Sequence, residues 1–138
     1  MIFLTRREHF SASHRLYNPK FSDEKNFEIF GKCSNPNGHG HNYYVEVTVC
    51  GEVSAETGYL INLEILKKIL QISFIDKVDH KNLNSDVEFL SNINPTSENI
   101  VIACWNQIES QIQKYCKLYS VKLFETEKNF VEFRGNIK

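Results

Sequence analysis

Between His41 and Gly51 the chain alternates without a break: Tyr43, Val45, Val47 and Val49 fall on one side, Tyr44, Glu46, Thr48 and Cys50 on the other. A period of two marks a half-buried strand, because successive side chains leave a strand on opposite faces. Such a face needs an apolar layer against it, and two segments supply amphipathic helices. Asn62 can cap a helix running to about Ile75, with Leu63, Leu66, Ile69 and Leu70 as its stripe. Thr96 or Ser97 can cap another, in which Ile100, Cys104, Ile108, Ile112 and Tyr115 recur at helical spacing. Residues 2–13 predict a further strand ending near Ser13-His14, and Val121 to Glu125 with Phe130 to Phe133 predict a hairpin about Glu127-Lys128-Asn129. The polar, turn-rich stretch from Pro19 to Gly38 reads as a long functional loop. Strand, strand, helix, helix, strand, strand is an α+β order, an antiparallel sheet with helices packed on it. Its two unpaired edges favour association with other copies.

Composition narrows the classes of function. With 16 Lys+Arg against 17 Asp+Glu, the net charge is −1, and no basic block exists to hold nucleic acid or an acidic membrane. The 138 residues contain no repeat or linker, so residues 1–138 are expected to form one domain. A chain of that length buries roughly two-thirds of its unfolded surface. It therefore needs no metal merely to hold a core. No apolar run approaches the ~20 residues that span a bilayer, and the expected compartment is cytoplasmic. Cys33, Cys50, Cys104 and Cys116 form no Cys-x-x-Cys pair.

The chemistry concentrates in Gly31-Lys32-Cys33-Ser34-Asn35-Pro36-Asn37-Gly38-His39-Gly40-His41. His39 and His41 lie two apart at the start of the alternating strand, so both imidazoles point to one side, with the small Gly40 expected to leave room between them. His14, at the end of the first strand, offers a third nitrogen if the two strands are neighbours. Three protein ligands with one open position is the catalytic pattern for zinc. His9, five residues before His14, falls on the opposite face and is given no role. Cys33 reads either as a loop cysteine or as a thiolate base, and Asp79-His80 either as a polar turn or as a proton partner for it. Glu125, at a strand end, reads either as a solvated acid or as a carboxylate that accepts two parallel N–H bonds from an amidine-like ring edge.

Phe10-Ser11-Ala12-Ser13-His14-Arg15-Leu16, Phe30-Gly31-Lys32-Cys33 through His39-Gly40-His41-Asn42-Tyr43, Asp79-His80-Lys81-Asn82-Leu83, Thr96-Ser97-Glu98-Asn99 and Glu125-Thr126 occur in that order. The set closely resembles the 6-pyruvoyltetrahydropterin synthase family. The resemblance implies the tunnelling fold: a four-stranded antiparallel sheet with two helices on one face, three copies closing a β-barrel, and two trimers stacking as a homohexamer with active sites between subunits. It implies His14, His39 and His41 as zinc ligands, Cys33 as catalytic base, Asp79 and His80 as its proton relay, and Glu125, Thr96 and Ser97 as contacts to the pterin. The implied reaction converts 7,8-dihydroneopterin triphosphate to 6-pyruvoyltetrahydropterin and triphosphate, in tetrahydrobiopterin biosynthesis, with no nicotinamide. Tyr17 stands where many members carry a further histidine, and Arg15, Lys32 and Lys81 are candidates for the triphosphate. The rival readings are 6-carboxytetrahydropterin synthase of deazapurine (queuosine) biosynthesis, whose cysteine lies closer to its His-x-His, and a non-catalytic pterin- or metal-binding module.

Overall fold

The computed structural model describes residues 1–136. Strand β1 (Ile2–His14) runs antiparallel to β2 (His39–Gly51) over its full length, from Ile2 opposite Gly51 to His14 opposite His39. On the other side of β2 lies β4 (Lys117–Phe124), and β5 (Phe130–Phe133) pairs back onto it as the expected hairpin.

The sheet has five strands and is mixed, which corrects the expectation of four antiparallel ones. Strand β3 (Lys81–Asn82) adds to the outer edge of β1, parallel to Ala12 and Ser13, in the order β3-β1-β2-β4-β5. Two residues carry no periodicity to read. They are held there by backbone bonds, His80 N–H to the Ser11 carbonyl at 2.6 Å and Leu83 N–H to the Ser13 carbonyl at 2.8 Å.

The loop expected from Pro19 to Gly38 contains helix α1 (Asp23–Phe30). Its N-terminus is capped by Ser22, whose side chain accepts from Lys25 N–H, and Asp23 and Glu24 complement the dipole in the first turn. Gly31 ends it at φ 57. The apolar pattern is silent because the buried residue of this helix is Asn26, which bonds to the backbone of Asn18 in both directions, while Phe27 and Ile29 face outward.

Helix α2 (Leu63–Leu70), capped by Asn62, runs through a π turn (Gln71–Ile75) into the short α3 (Asp76–Val78). Helix α4 (Ser97–Ile112) follows its cap, Thr96. Leu66 and Leu70 of α2 and Ile100, Cys104, Ile108 and Ile112 of α4 are buried in one cluster with Tyr43, Val45, Val47 and Val49 of β2. Each such side chain contributes about 1.5–3 kcal/mol on leaving water. Leu63 and Tyr115, expected on the two stripes, are exposed. Leu63 is the first residue of its helix, and Tyr115 lies beyond the end of α4. No helix among the described residues is long and apolar enough to cross a membrane.

Candidate metal centre

The β1–β2 register sets His14 directly opposite His39, and strand alternation brings His41 to the same side. The ring centroids are 4.7 Å (His14–His39), 5.2 Å (His14–His41) and 4.8 Å (His39–His41) apart. His14 Nδ1 lies 2.8 Å from the carbonyl oxygen of Pro95. A carbonyl only accepts, so Nδ1 carries the proton and the Nε2 lone pair points the other way, to 3.1 Å from His39 Nε2. The Tyr43 hydroxyl closes over the same ring, 3.3 Å from Nδ1.

Glu125, just past the end of β4, completes the cluster. Its Oε2 accepts a 2.8 Å bond from Ser97 Oγ, and its Oε1 lies 3.1 Å from His41 Nε2. That approach does not have hydrogen-bond geometry, and His41 Nε2 is left buried without a partner. His14, His39, His41 and Glu125 each offer one ligand atom, and all lie within 4.8 Å of one another. Burial lowers the pKa of His14, against the opposing Pro95 bond, and lowers that of His41, against the Glu125 charge. Burial, with Glu125 and Cys33 adding to it, pushes the Tyr43 hydroxyl well above its ordinary value. Three converging imidazoles, one with a buried nitrogen left without a partner, are a donor set that fits zinc.

The other expected site residues divide between two places. Cys33 sits half-buried in a 3₁₀ turn (Gly31–Ser34) whose Cys33 carbonyl accepts from Leu16 N–H at 2.8 Å, which ties it to the chain just beyond His14. Thr96 caps α4 by accepting from Asn99 N–H, and Ser97 holds Glu125. Asp79 and His80 lie at the outer edge of β1. Asp79 Oδ1 accepts from Ser11 N–H at 2.9 Å and Oδ2 lies 3.0 Å from His80 Nδ1. Burial works against the Asp79 charge, but the Ser11 and His80 bonds outweigh it and hold the carboxyl below its ordinary value. His80 has φ 61, a left-handed conformation that costs a non-glycine residue about 1 kcal/mol or more. His80, but not Asp79, lines a cavity of about 390 Å³ shared with Ser11, Ser13, His41 and Asn42. Among the described residues no hydrogen bond joins Cys33 to Asp79 or His80. His9 is exposed.

Sequence reasoning missed two groups, the Tyr43 hydroxyl and the Pro95 carbonyl. Tyr43 was legible as the next same-face position after His39 and His41; nothing local marks Pro95, which arrives from 81 residues away. Gly40 does not make room between the histidines, since it points to the opposite face, where a Cβ would meet the Ala12 carbonyl at an ordinary 3.5 Å. Gly38 is the position that requires glycine: φ is +71 and a Cβ would lie 2.9 Å from the His14 carbonyl oxygen.

The family model described as 6-pyruvoyl tetrahydropterin synthase matches residues 3–136. A 6-pyruvoyl tetrahydrobiopterin synthase of Drosophila melanogaster is 48% identical over 133 residues, covering 96% of this chain and 79% of that protein. The solved 6-pyruvoyl tetrahydropterin synthase of Caenorhabditis elegans superposes with a TM-score of 0.92 at 42% identity, over 98% of this chain and 96% of that one. A 6-carboxy-5,6,7,8-tetrahydropterin synthase of Rickettsia bellii is more distant, 29% identical over 150 residues, covering 96% of this chain and 99% of that protein.

Proposed function

The chain belongs to the 6-pyruvoyl tetrahydropterin synthase family, and from that premise we propose that it is the lyase converting 7,8-dihydroneopterin triphosphate to 6-pyruvoyltetrahydropterin and triphosphate in tetrahydrobiopterin biosynthesis. The observation that carries this reading is the convergence of His14, His39, His41 and Glu125 within 4.8 Å around the unpartnered His41 Nε2.

His14, His39 and His41 would hold zinc, which supplies Lewis-acid polarisation of the substrate's side-chain hydroxyls and so acidifies the adjoining C–H bonds. Cys33 takes a side-chain proton as thiolate. His80, its Nδ1 fixed on Asp79, offers Nε2 for the return of that proton. The C–O bond to triphosphate breaks, and oxidation of the side chain is balanced by reduction of the ring, so no outside oxidant or reductant enters. Glu125 anchors the pterin. Ser97 occupies one of its carboxylate oxygens and fixes its orientation, and a carboxylate kept for substrate leaves the metal its open position. Thr96 and Ser97 contribute pterin contacts from the start of α4.

The cavity that His80 lines is not lined by Cys33, and among the described residues no hydrogen bond joins Cys33 to His80 or Asp79. This supports a site completed between copies, in which a neighbouring chain brings its dyad to Cys33. The assembly proposed is a trimer closing a barrel with its unpaired strand edges, doubled to a homohexamer. The protein is read as one functional domain over residues 1–138 acting in the cytoplasm.

The test is incubation of the zinc-loaded protein with 7,8-dihydroneopterin triphosphate, identifying the product by mass, with Cys33→Ala alongside. Release of triphosphate with the 6-pyruvoyl product, lost in the variant, is expected. A 6-carboxy product moves the chain to the deazapurine branch, and binding without turnover reduces it to a pterin-binding module.

A further inference from the structure

A second cavity, of about 710 Å³, adjoins the metal centre, and its lining includes Arg15, Lys20 and several asparagines but no Asp or Glu. Three times the backbone passes in a single step from the centre into this wall: His14 to Arg15, His39 back to Gly38, and Pro95 back to Asn94.

Three asparagine side chains of the wall are bonded with the same polarity. The side-chain oxygen of Asn18 is occupied by Lys20 N–H, that of Asn82 by Asn84 N–H, and that of Asn94 by Tyr17 N–H. A backbone N–H can only donate, so in each case the amide oxygen must face it, and the NH₂ group is what remains. The backbone carbonyls of Arg15, Asn18, Asn82 and Asn94 are also taken, by other amides of the chain. At these positions the acceptors are consumed, and the NH₂ groups of Asn18, Asn82 and Asn94 are left over, whereas that of Asn84 is spent on the Arg15 carbonyl.

The cations are free in the same sense. Arg15 is oriented by an Nε bond to the Ser34 carbonyl at 2.8 Å and lies over the Tyr17 ring at 3.8 Å, yet neither it nor Lys20 has a carboxylate partner among the described residues. An oriented guanidinium with open Nη donors suits the fork geometry of a phosphate. Lys32 and Lys81 do not line this cavity.

We propose that this cavity is a polyphosphate-receiving subsite in which Arg15 and Lys20, with the asparagine amides, bind the triphosphate chain of the substrate. The inference rests on the reaction proposed above and adds where the leaving group sits. Glu125 lies beside His41 and the cavity begins at Gly38, beyond His39, so the order Glu125, histidines, cavity matches the substrate's order of ring, three-carbon side chain and triphosphate.

The test uses the zinc-loaded protein and inorganic tripolyphosphate, titrated by calorimetry, with zinc content measured before and after because polyphosphate can strip metal. Arg15→Gln is expected to weaken binding about 10-fold or more, as loss of a charge-assisted bidentate contact should. Arg15→Lys should recover part of that, and Lys20→Gln, on an exposed side chain that leaves the fold intact, should weaken binding a few-fold. The affinity should fall as salt rises. In parallel, KM for the triphosphate substrate should rise in the same variants, while the affinity for unphosphorylated 7,8-dihydroneopterin stays as in the wild type. Tripolyphosphate binding that is equal in wild type, Arg15→Gln and Lys20→Gln overturns the subsite, even in an enzyme that turns over as proposed. Arg15-dependent binding of tripolyphosphate in a protein that fails to process the substrate keeps the subsite and overturns the reaction instead.

Discussion

His14 and His80 use the same device in opposite settings. Each has Nδ1 tied to an oxygen of its own chain, His14 to the Pro95 carbonyl at 2.8 Å and His80 to the Asp79 carboxylate at 3.0 Å. His14 is 1% exposed, whereas the His80 side chain is 83% exposed. Burial disfavours the charged ring and outweighs the Pro95 carbonyl, which favours it, so His14 keeps an Nε2 lone pair that could bind a metal. A carboxylate and open water suit an imidazole that gains and loses a proton. Tautomer is set alike in both; burial and the charge of the partner decide what each nitrogen is for.

The largest expected effect separates them by metal content. His14→Ala should lower zinc affinity by more than the ~10–100-fold that loss of an outer hydrogen-bond partner costs, and abolish turnover; full zinc stoichiometry in that variant would break the comparison. His80→Gln should retain zinc and lower kcat by about 10²–10⁴, read by metal analysis beside steady-state kinetics. Loss of zinc there would mean that the two histidines share one role. Tyr43→Phe removes only the hydroxyl against His14, and zinc affinity should fall ~10-fold, at the lower end of the range for an outer partner, with melting temperature little changed.

The smallest effect is on stability against pH. In the folded chain Asp79 titrates below its ordinary value of 3.8, so in that range the unfolded state binds more protons. Its stabilisation is complete above the unfolded value and disappears as pH falls through the folded one. Asp79→Asn should therefore melt below the wild type near neutrality, with the gap closing in acid. A gap that widens on acidification contradicts the assignment.

How much was legible depends on the range of each interaction. The β2 alternation, the same-face pair His39 and His41, the Asn62 and Thr96 caps and the β4–β5 hairpin are written within a few residues of themselves, because strand and helix periods and capping bonds are local. Helix α1 was hidden by its own polarity, since hydrophobic periodicity cannot register a helix whose buried residue is Asn26. β3 was hidden by its length.

What the sequence alone determined is the donor set and its strand faces: three histidines, a thiol, an Asp–His pair and a terminal carboxylate. Only the tertiary structure decided that Glu125, held by Ser97, meets His41, that Pro95 orients His14, that Asp79 and His80 sit at the β1 edge, and that the amide oxygens of Asn18, Asn82 and Asn94 near Arg15 are already spent. The physical reason is that side-chain type and period are properties of neighbours along the chain, whereas burial, tautomer and unpaired donors depend on groups far apart in it, such as His14 and Pro95 at 81 residues, brought together by the sheet and the helices that cover it.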